Sequence, residues 1–249
     1  MKNKVIWSEG MFLQPQHFQQ QESYLEYLIS EKTTGQQDNA WGIAELTVNE
    51  ECLSLSKISV NRIKGVFADG TAFDAPIIDS LPTPITISEN AQEDIIYLAI
   101  PLKQAGLATI SLNDNPDGPR YHSHTADRHD DIKDAEQHAE IRIAKLSPKL
   151  MLESEERSEY SCIPIAKIKE VRSNGTVVLE ADYLTPVINT RACVLLTDFI
   201  TEIHSLLQHR ADMIAFRLTH NQQSTSAELA DFMLLQLINR FEPLFSHLG

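Results

Sequence analysis

A histidine-rich stretch in the middle of the chain is the one segment whose residue types suggest catalysis. His122, His124 and His129 lie around Asp127 in the segment HSHTADRH. Imidazoles two residues apart can share a metal ion, and zinc held by such ligands activates water for hydrolysis. Metal-dependent hydrolysis is therefore the chemistry to weigh at this position.

The spacing within this stretch argues against a metal site. Metallo-β-lactamase-like hydrolases carry the motif H-x-H-x-D-H after a buried strand, whereas here one extra residue precedes Asp127 and another separates it from His129. A polar turn, residues 113–120, stands where the buried strand would be. We expect a solvated loop, and the same holds for the acidic residues that follow, Asp130, Asp131, Asp134 and Glu136. We assign no catalytic residue, metal or cofactor.

Composition narrows the class of partner. The chain has 249 residues and a formal net charge of −14, which disfavours nucleic acid and anionic lipid because both require clustered basic residues. Its three cysteines are widely spaced, which indicates a reducing compartment. The longest apolar run, residues 95–102, is too short to cross a bilayer. We therefore expect a cytoplasmic protein without direct membrane insertion.

The elements that would position any site fall into three groups. A helix is predicted from Pro15 to about Lys32, and strands follow from Trp41 to about Tyr183. Asp69-Gly70 and Asn174-Gly175 are hairpin turns within that region. Two helices are then predicted over residues 191–218 and 227–242, with Pro243 kinking or ending the second. The histidine-rich stretch lies among the strands, which predict an antiparallel sandwich or barrel.

The N-terminus carries large apolar residues where a chain usually frays. They show no strict helical or strand period, and something must cover them: the chain's own sandwich or another protein. We favour a partner, since exposed apolar patches tend to mark partner sites. The set is Trp7, Met11, Phe12, Leu13, Pro15 and Phe18.

The two C-terminal helices need more cover than they give each other. In the first, apolar residues recur with an eleven-residue period typical of a nearly straight bundle helix: Leu196, Ile200, Ile203, Leu207, Ala211, Ile214 and Leu218. The second is apolar on nearly all sides. Further helices must come from other copies or from chain beyond this sequence, which stops within an apolar pattern.

Several sequence blocks resemble the TssK family (also called VasE or ImpJ) of type VI secretion baseplate components. The opening block VIWSEGMFLQPQHFQQQ is the most specific, and the others follow in order along the chain: GVFADGTAFD, CIPIA, DYLTP, DFMLLQ and LINRFEP. The histidine-rich stretch belongs to none of them.

The resemblance implies a mainly β fold with added helices. An N-terminal antiparallel β-sandwich, like the shoulder of a phage receptor-binding protein, would precede a helical-bundle neck. The implied divisions are 1–34, an N-terminal segment and helix belonging to the shoulder; 35–185, the sandwich; and 186–249, a truncated neck without the C-terminal head.

The implied function is structural and non-enzymatic. A homotrimer would link the baseplate wedge proteins TssF and TssG to the inner-membrane complex of TssL and TssM, the latter through the missing head. The N-terminal set above would face the baseplate, either touching it or bracing the contact surface. The trimer neck core would comprise Leu196, Ile203, Leu207, Ile214, Phe232 and Leu235. The alternatives are a His-loop metal-dependent hydrolase on a β scaffold and a phage-type receptor or glycan-binding module.

Overall fold

A computed structural model describes residues 3–34, 40–104, 106–113, 118–129, 138–220 and 226–248. The chain begins with an extended segment and helix α1 (Pro15–Thr34), which starts at a proline as predicted. We call residues 3–34 the N-terminal arm. Within these ranges, twelve strands follow, and two long helices come last.

Two antiparallel sheets form the β-sandwich. The first has the order β1-β3-β4, built from β1 (Gly42–Val48), β3 (Val60–Val66) and β4 (Ala72–Ala75). The second has the order β10-β6-β11-β12, built from β6 (Ile95–Pro101), β10 (Lys149–Leu152), β11 (Tyr160–Val171) and β12 (Val177–Leu179). Side chains of both sheets meet in one apolar core that includes Ile43, Ile63, Phe67, Ile96, Leu98 and Ile163. The predicted sandwich is confirmed.

Smaller elements complete the sandwich. A short helix α2 (Glu50–Leu53) follows β1, and β2 (Lys57–Ile58) pairs with β5 (Ile85–Thr86). A third sheet joins β7 (Ile110–Ser111), β8 (Tyr121–His129) and β9 (His138–Leu146).

Both predicted hairpin turns are present. Gly70 and Gly175 adopt φ values of 82° and 83°, a backbone region that glycine enters without steric cost. The preceding Asp69 and Asn174 side chains each accept a hydrogen bond from the backbone N–H two residues on, at 3.1 Å. The turns join β3 to β4 and β11 to β12.

A bulge in β11 lets a proline lie inside the sheet. The pairing with β6 shifts between Pro164 and Ala166, so the alternation breaks and Ile165 and Ala166 are both buried. Proline cannot donate to the ladder and is tolerated at such a bulge.

The segment leading from the sandwich to the helices is bonded to β1. Ile43 donates its backbone N–H to the Pro186 carbonyl at 2.8 Å, and Ile188 donates to the Ile43 carbonyl at 3.0 Å. A Cβ on Gly42 would lie 2.7 Å from the Pro186 oxygen, and Gly42 has a φ of 135°. Only glycine fits this close approach without strain.

Two antiparallel helices end the chain, α3 (Val194–His220) after a 3₁₀ turn (Thr190–Ala192) and α4 (Ser226–Leu248). We call them the helical hairpin. The prediction that Pro243 ends or kinks the second helix near Glu242 is wrong as to its end, because α4 continues to Leu248. Pro243 and Asn239 are exposed, so solvent can satisfy the carbonyl that the proline leaves without its helical bond.

Candidate partner-binding surfaces

The N-terminal arm folds back on itself. The extended segment runs along α1, with the Gln20 Nε2 donating to the Asn3 carbonyl at 2.7 Å and the Lys4 Nζ lying 5.5 Å from the centre of the Tyr24 ring. The Trp7 ring packs against Phe18 at a centroid distance of 6.3 Å. The apolar N-terminal residues therefore support one another within the arm and do not return to the sandwich core.

Much of this apolar surface is left uncovered. Phe12 is 84% exposed, Trp7 50%, and Leu13 and Phe18 are also exposed. Met11 is half-buried and Pro15 is exposed at the start of α1. Ile6, which the sequence-based set omitted, is 86% exposed and lies beside Trp7. Its place in the same apolar run, directly before Trp7, could have identified it from the sequence.

Contact between the arm and the β-sandwich is slight. Glu26 of α1 accepts a hydrogen bond from the Lys103 Nζ at 2.6 Å, and both side chains are largely solvent-accessible. A cavity of about 570 Å³ lies between α1 and the sandwich, lined in part by Tyr27, Ser30, Thr71 and Tyr121. An exposed ion pair of this kind contributes about 0–1 kcal/mol. The arm is therefore held weakly and presents its apolar side chains outward.

The histidine-rich stretch is not the solvated loop that was expected. It forms β8 and pairs with β9 along its whole length, from Tyr121 opposite Leu146 to His129 opposite His138. His122 is buried, with Nδ1 3.0 Å from the Ser147 Oγ and Nε2 3.3 Å from the Ser80 Oγ. Composition misled here because, among the described residues of β8 and β9, only His122 and Leu146 at the base of the pair are buried.

Residues near His122 also make hydrogen bonds that hold the fold together. Asp79 is buried and accepts backbone N–H bonds from Leu146 at 3.0 Å and Asp74 at 3.1 Å. Within the described ranges, no three His, Cys, Asp or Glu side chains of one chain are grouped to hold a metal ion. Asp130, Asp131, Asp134 and Glu136 lie outside the described residues.

Arg120 is a buried cation that the sequence did not reveal, since arginines are mostly exposed. Its guanidinium donates to the Asp69 Oδ2 at 2.7 Å, to the Pro101 carbonyl at 2.6 Å and to the Thr71 hydroxyl. The group thereby ties the β3–β4 turn to the end of β6. These contacts give Arg120 a structural role, which is to connect the two segments.

Among the described residues, burial and charge shift few pKa values, and none of these shifts marks a catalytic pair. Hydrogen bonding from Arg62 lowers the pKa of Asp74, and burial raises the pKa of the Cys162 thiol. Cys162 is thus poorly disposed to ionise, which is the opposite of what a nucleophile needs.

The sequence-predicted neck residues divide between two faces of the helical hairpin. Ile214 is fully buried within this chain, while Leu196, Ile203, Leu207 and Leu235 are half-buried. Their eleven-residue stripe continues through Ile200, also buried, so it is the contact face between α3 and α4. Phe232 alone of the six is exposed.

Polar pairs fix the register of the two helices. The His204 Nε2 lies 2.6 Å from the Glu242 Oε1, to which Gln208 also donates. At the other end of the hairpin, Arg217 donates to Asp231 at 3.1 Å. The inner face is therefore apolar in its middle and closed by polar contacts towards its ends.

A second stripe on α3 faces outward and was missed from the sequence. Its exposed members are Leu195, Phe199, Leu206, Met213 and Phe216. With Glu202 and His209 in between, these positions alternate spacings of four and three residues, which is a heptad repeat. The two polar residues hid the pattern.

Helix α4 has an outer stripe of its own, Leu229, Met233, Leu237, Phe241, Leu244 and Leu248. At about 100° per residue, the outer stripes of α3 and α4 each lie roughly 125° from the inner faces. For antiparallel helices, those offsets put both stripes on the same side of the hairpin. The hairpin therefore presents one broad uncovered apolar face.

Among the residues that the structure describes, no helix is long and apolar enough to cross a membrane.

Comparison with known proteins gives consistent matches along the chain. A family model described as "Bacterial Type VI secretion, VC_A0110, EvfL, ImpJ, VasE" matches residues 17–249. The type VI secretion system baseplate component TssK1 of Pseudomonas aeruginosa is 36% identical over 248 residues, which cover 99% of this chain and 56% of that protein. The chain thus spans little more than half the length of this relative.

Solved structures show the same fold. A crystal structure of TssK superposes with a TM-score of 0.86 at 32% identity, covering 99% of this chain and 56% of the other. The TssK-TssF-TssG baseplate subcomplex, determined by cryo-electron microscopy, contains a chain with a TM-score of 0.84 at 21% identity, covering 100% of this chain and 80% of the other. At that identity the second match supports the fold alone.

Proposed function

Because the chain belongs to the VasE/ImpJ family of bacterial type VI secretion proteins, we propose that it is a structural adaptor of the secretion baseplate. The observation that carries the proposal is 36% identity to a TssK1 across 99% of this chain. The exposed apolar surfaces of the arm and the helical hairpin fit that role, because an adaptor needs surfaces that other proteins cover.

We assign the N-terminal arm to the baseplate wedge proteins TssF and TssG, which a related TssK accompanies in a solved subcomplex. Phe12, Leu13 and Ile6 would insert into the partner, since they are exposed and aromatic or aliphatic. Trp7 and Phe18 would brace that surface through their ring contact while also contributing exposed area. Met11 and Pro15 would hold the turn into α1.

The helical hairpin is assigned to a homotrimer. A heptad stripe is typical of helices that wind around copies of themselves, whereas the eleven-residue stripe packs within one chain. The subunit contact would therefore involve the outer stripe of α3, which is Leu195, Phe199, Leu206, Met213 and Phe216, together with the outer stripe of α4. Phe232 is also exposed, but at about 100° per residue it lies on the other side of α4 from this face. Ile214 is already buried and would support this contact from behind.

The remaining parts of the proposal follow from the family. Residues 1–34, 35–185 and 186–249 would be the arm, the sandwich and the neck, and the protein would act in the cytoplasm without catalysis. We assign contact with the inner-membrane proteins TssL and TssM to the part of TssK relatives that this chain does not match. Burial of His122 among structural bonds argues against the hydrolase alternative.

Co-purification with TssF and TssG tests the assignment of the arm. We expect the Trp7→Ala, Phe12→Ala double variant to reduce recovery of the wedge proteins at least tenfold, because large side chains at an interface centre contribute about 2 kcal/mol or more each. Leu55→Ala is the matched control, since Leu55 is an exposed apolar residue of the sandwich. Normal recovery with the double variant would refute the assignment.

A further inference from the structure

Strand β9 is an edge strand whose outer side is open. Among the strands that the structure describes, only β8 pairs with it. The strand is nine residues long, against about five or six for an ordinary strand. Residues 138–142 and 144 are exposed. An edge of this kind presents a row of backbone N–H and C=O groups that another strand can bind.

The bonding between β8 and β9 shows which backbone groups point outward. Ser147 donates its N–H to the Arg120 carbonyl at 3.0 Å, and this bond fixes the alternation of hydrogen-bonded and non-hydrogen-bonded pairs along the ladder. The even-numbered residues of β9, which include Glu140 and Arg142, therefore direct their backbone groups away from β8. No residue that the structure describes bonds to the outward groups of these two.

We propose that β9 binds β9 of a second copy of this chain, antiparallel and about a two-fold axis at Ile141. In that register Glu140 lies opposite Arg142 of the second copy, and Arg142 lies opposite its Glu140, because both are one residue from the axis. These residues carry the outward backbone groups, so each pair can exchange two backbone hydrogen bonds. Two opposite-charge pairs form at once, and such cross-strand pairs stabilise a sheet.

The neighbouring registers lack this match. An axis at Glu140 or at Arg142 would place two like charges directly opposite each other, and an axis between two residues would pair outward backbone groups with inward ones. With the axis at Ile141, this side chain meets its own copy, and Ile143 meets Ala139 on the same face. The edge is thus self-complementary in hydrogen bonds, charge and apolar contact.

The alternative is that the charges keep the edge from pairing at all. Charged side chains on edge strands commonly have this role, which requires charge but no particular order of signs. Pairing with a second copy requires the opposite signs at these two positions, so exchanging them separates the two roles. The contact joins copies in pairs and buries far less than the roughly 1,600 Å² of a standard stable interface, so it is weak in dilute solution.

Disulfide formation under mild oxidation captures a weak contact. On the axis the two Cα atoms lie about 4.5 Å apart, within the range of a disulfide, so Ile141→Cys should link two copies. Ala144→Cys is the matched control, because Ala144 is exposed on the same strand but would lie roughly 20 Å from its copy. We expect about tenfold more linked dimer from Ile141→Cys than from this control.

Reversing single charges in the Ile141→Cys protein tests the register. Glu140→Arg and Arg142→Glu each place like charges opposite each other, so each should lower the yield of linked dimer about fivefold. A mixture of the two variants restores both opposite-charge pairs between unlike chains. Linked heterodimer, identified by mass spectrometry from the different chain masses, should then return to the yield of the parent protein.

The outcomes are specific to this edge. Equal linking by Ile141→Cys and Ala144→Cys would overturn the proposal, as would charge reversals without effect or a mixture that gives no more dimer than either variant alone. Linking of Ile141→Cys only to added TssF or TssG would mean that another protein's strand occupies the edge, and would also overturn it. None of these results bears on the adaptor role, because the arm and the helical hairpin take no part in the pairing.

Discussion

The β-sandwich and the helical hairpin differ in how completely they bury their own apolar residues. The sandwich closes eighteen buried residues into one core shared by two sheets, whereas the hairpin fully buries only Ile200, Ile214 and Ile238 among its described residues. Both contain similar apolar side chains. The sandwich therefore covers its own core, whereas the hairpin and the arm leave apolar surface uncovered within the described residues.

A core variant of the sandwich should give the largest effect. Phe67 is fully buried and packs on Phe73 with ring centroids 4.7 Å apart. We expect Phe67→Ala to lower the free energy of unfolding by about 3–5 kcal/mol through the cavity it leaves. Chemical denaturation would measure this loss, with the exposed Ile78→Ala as control, expected to change it by less than about 0.5 kcal/mol. Equal effects would show that the sandwich core is not the main source of stability.

Adjacent residues of α3 separate the inner face from the outer one. Ile214 is fully buried and Met213 is half exposed. We expect Ile214→Ala to lower the unfolding free energy by about 2–4 kcal/mol at every protein concentration. Met213→Ala should instead weaken association, so its effect should grow on dilution. Thermal unfolding over a hundredfold dilution series distinguishes them, and the reverse pattern would mean that the two faces are wrongly assigned.

The junction between sandwich and hairpin should tolerate no side chain at Gly42. Alanine there would meet the Pro186 carbonyl in a strained backbone region, at a cost of about 1–3 kcal/mol in unfolding free energy. Gly106→Ala is a matched control, since Gly106 also has a positive φ but open space around it. If both variants lost equal stability, the positive φ that the two glycines share, and not the close approach to Pro186, would be the cause of the loss at Gly42.

The smallest expected effect is the loss of stability in acid at the ion pair between Arg62 of β3 and Asp74 of β4. The Arg62 hydrogen bond lowers the pKa of Asp74 below its ordinary 3.8, so the charged pair stabilises the fold above that pH. This contribution is lost as the pH falls through the lowered value. Asp74→Asn should therefore be less stable than the wild type at pH 6 and approach it near pH 2, in urea titrations at each pH. If the difference in unfolding free energy between the wild type and Asp74→Asn stayed constant with pH, the charged Arg62–Asp74 pair would not be its cause.

The sandwich was predictable from the sequence because its signals are local. Alternating apolar residues and the Asp69-Gly70 and Asn174-Gly175 turns determine strands and hairpins over short distances. The polar strand β8 was not predictable, since its pairing with β9 is a property of the whole sheet. The prediction that Pro243 ends α4 failed because solvent can satisfy the carbonyl that the proline leaves without its helical bond, so the helix continues to Leu248.

The surfaces that we propose for partners were predictable only in part. Large apolar residues at the N-terminus indicated the arm, but its folding back through Trp7 and Phe18 needed three-dimensional contacts. On α3, the uninterrupted eleven-residue stripe concealed the heptad stripe, whose periodicity is broken by Glu202 and His209. Which stripe packs within one chain depends on α4, and the periodicity of α3 alone does not contain that information.

The solution mass of the protein, measured by light scattering beside a Leu206→Asp variant, tests the central claim most directly. Leu206 is exposed in the middle of the outer heptad stripe, so a charge there should break subunit contact and leave the sandwich folded. We predict three times the 28.1 kDa chain mass for the wild type and a single chain mass for the variant, with unchanged circular dichroism of the strands. A wild-type mass of one chain, or a trimer that survives Leu206→Asp, would contradict the claim that this face is completed by other copies.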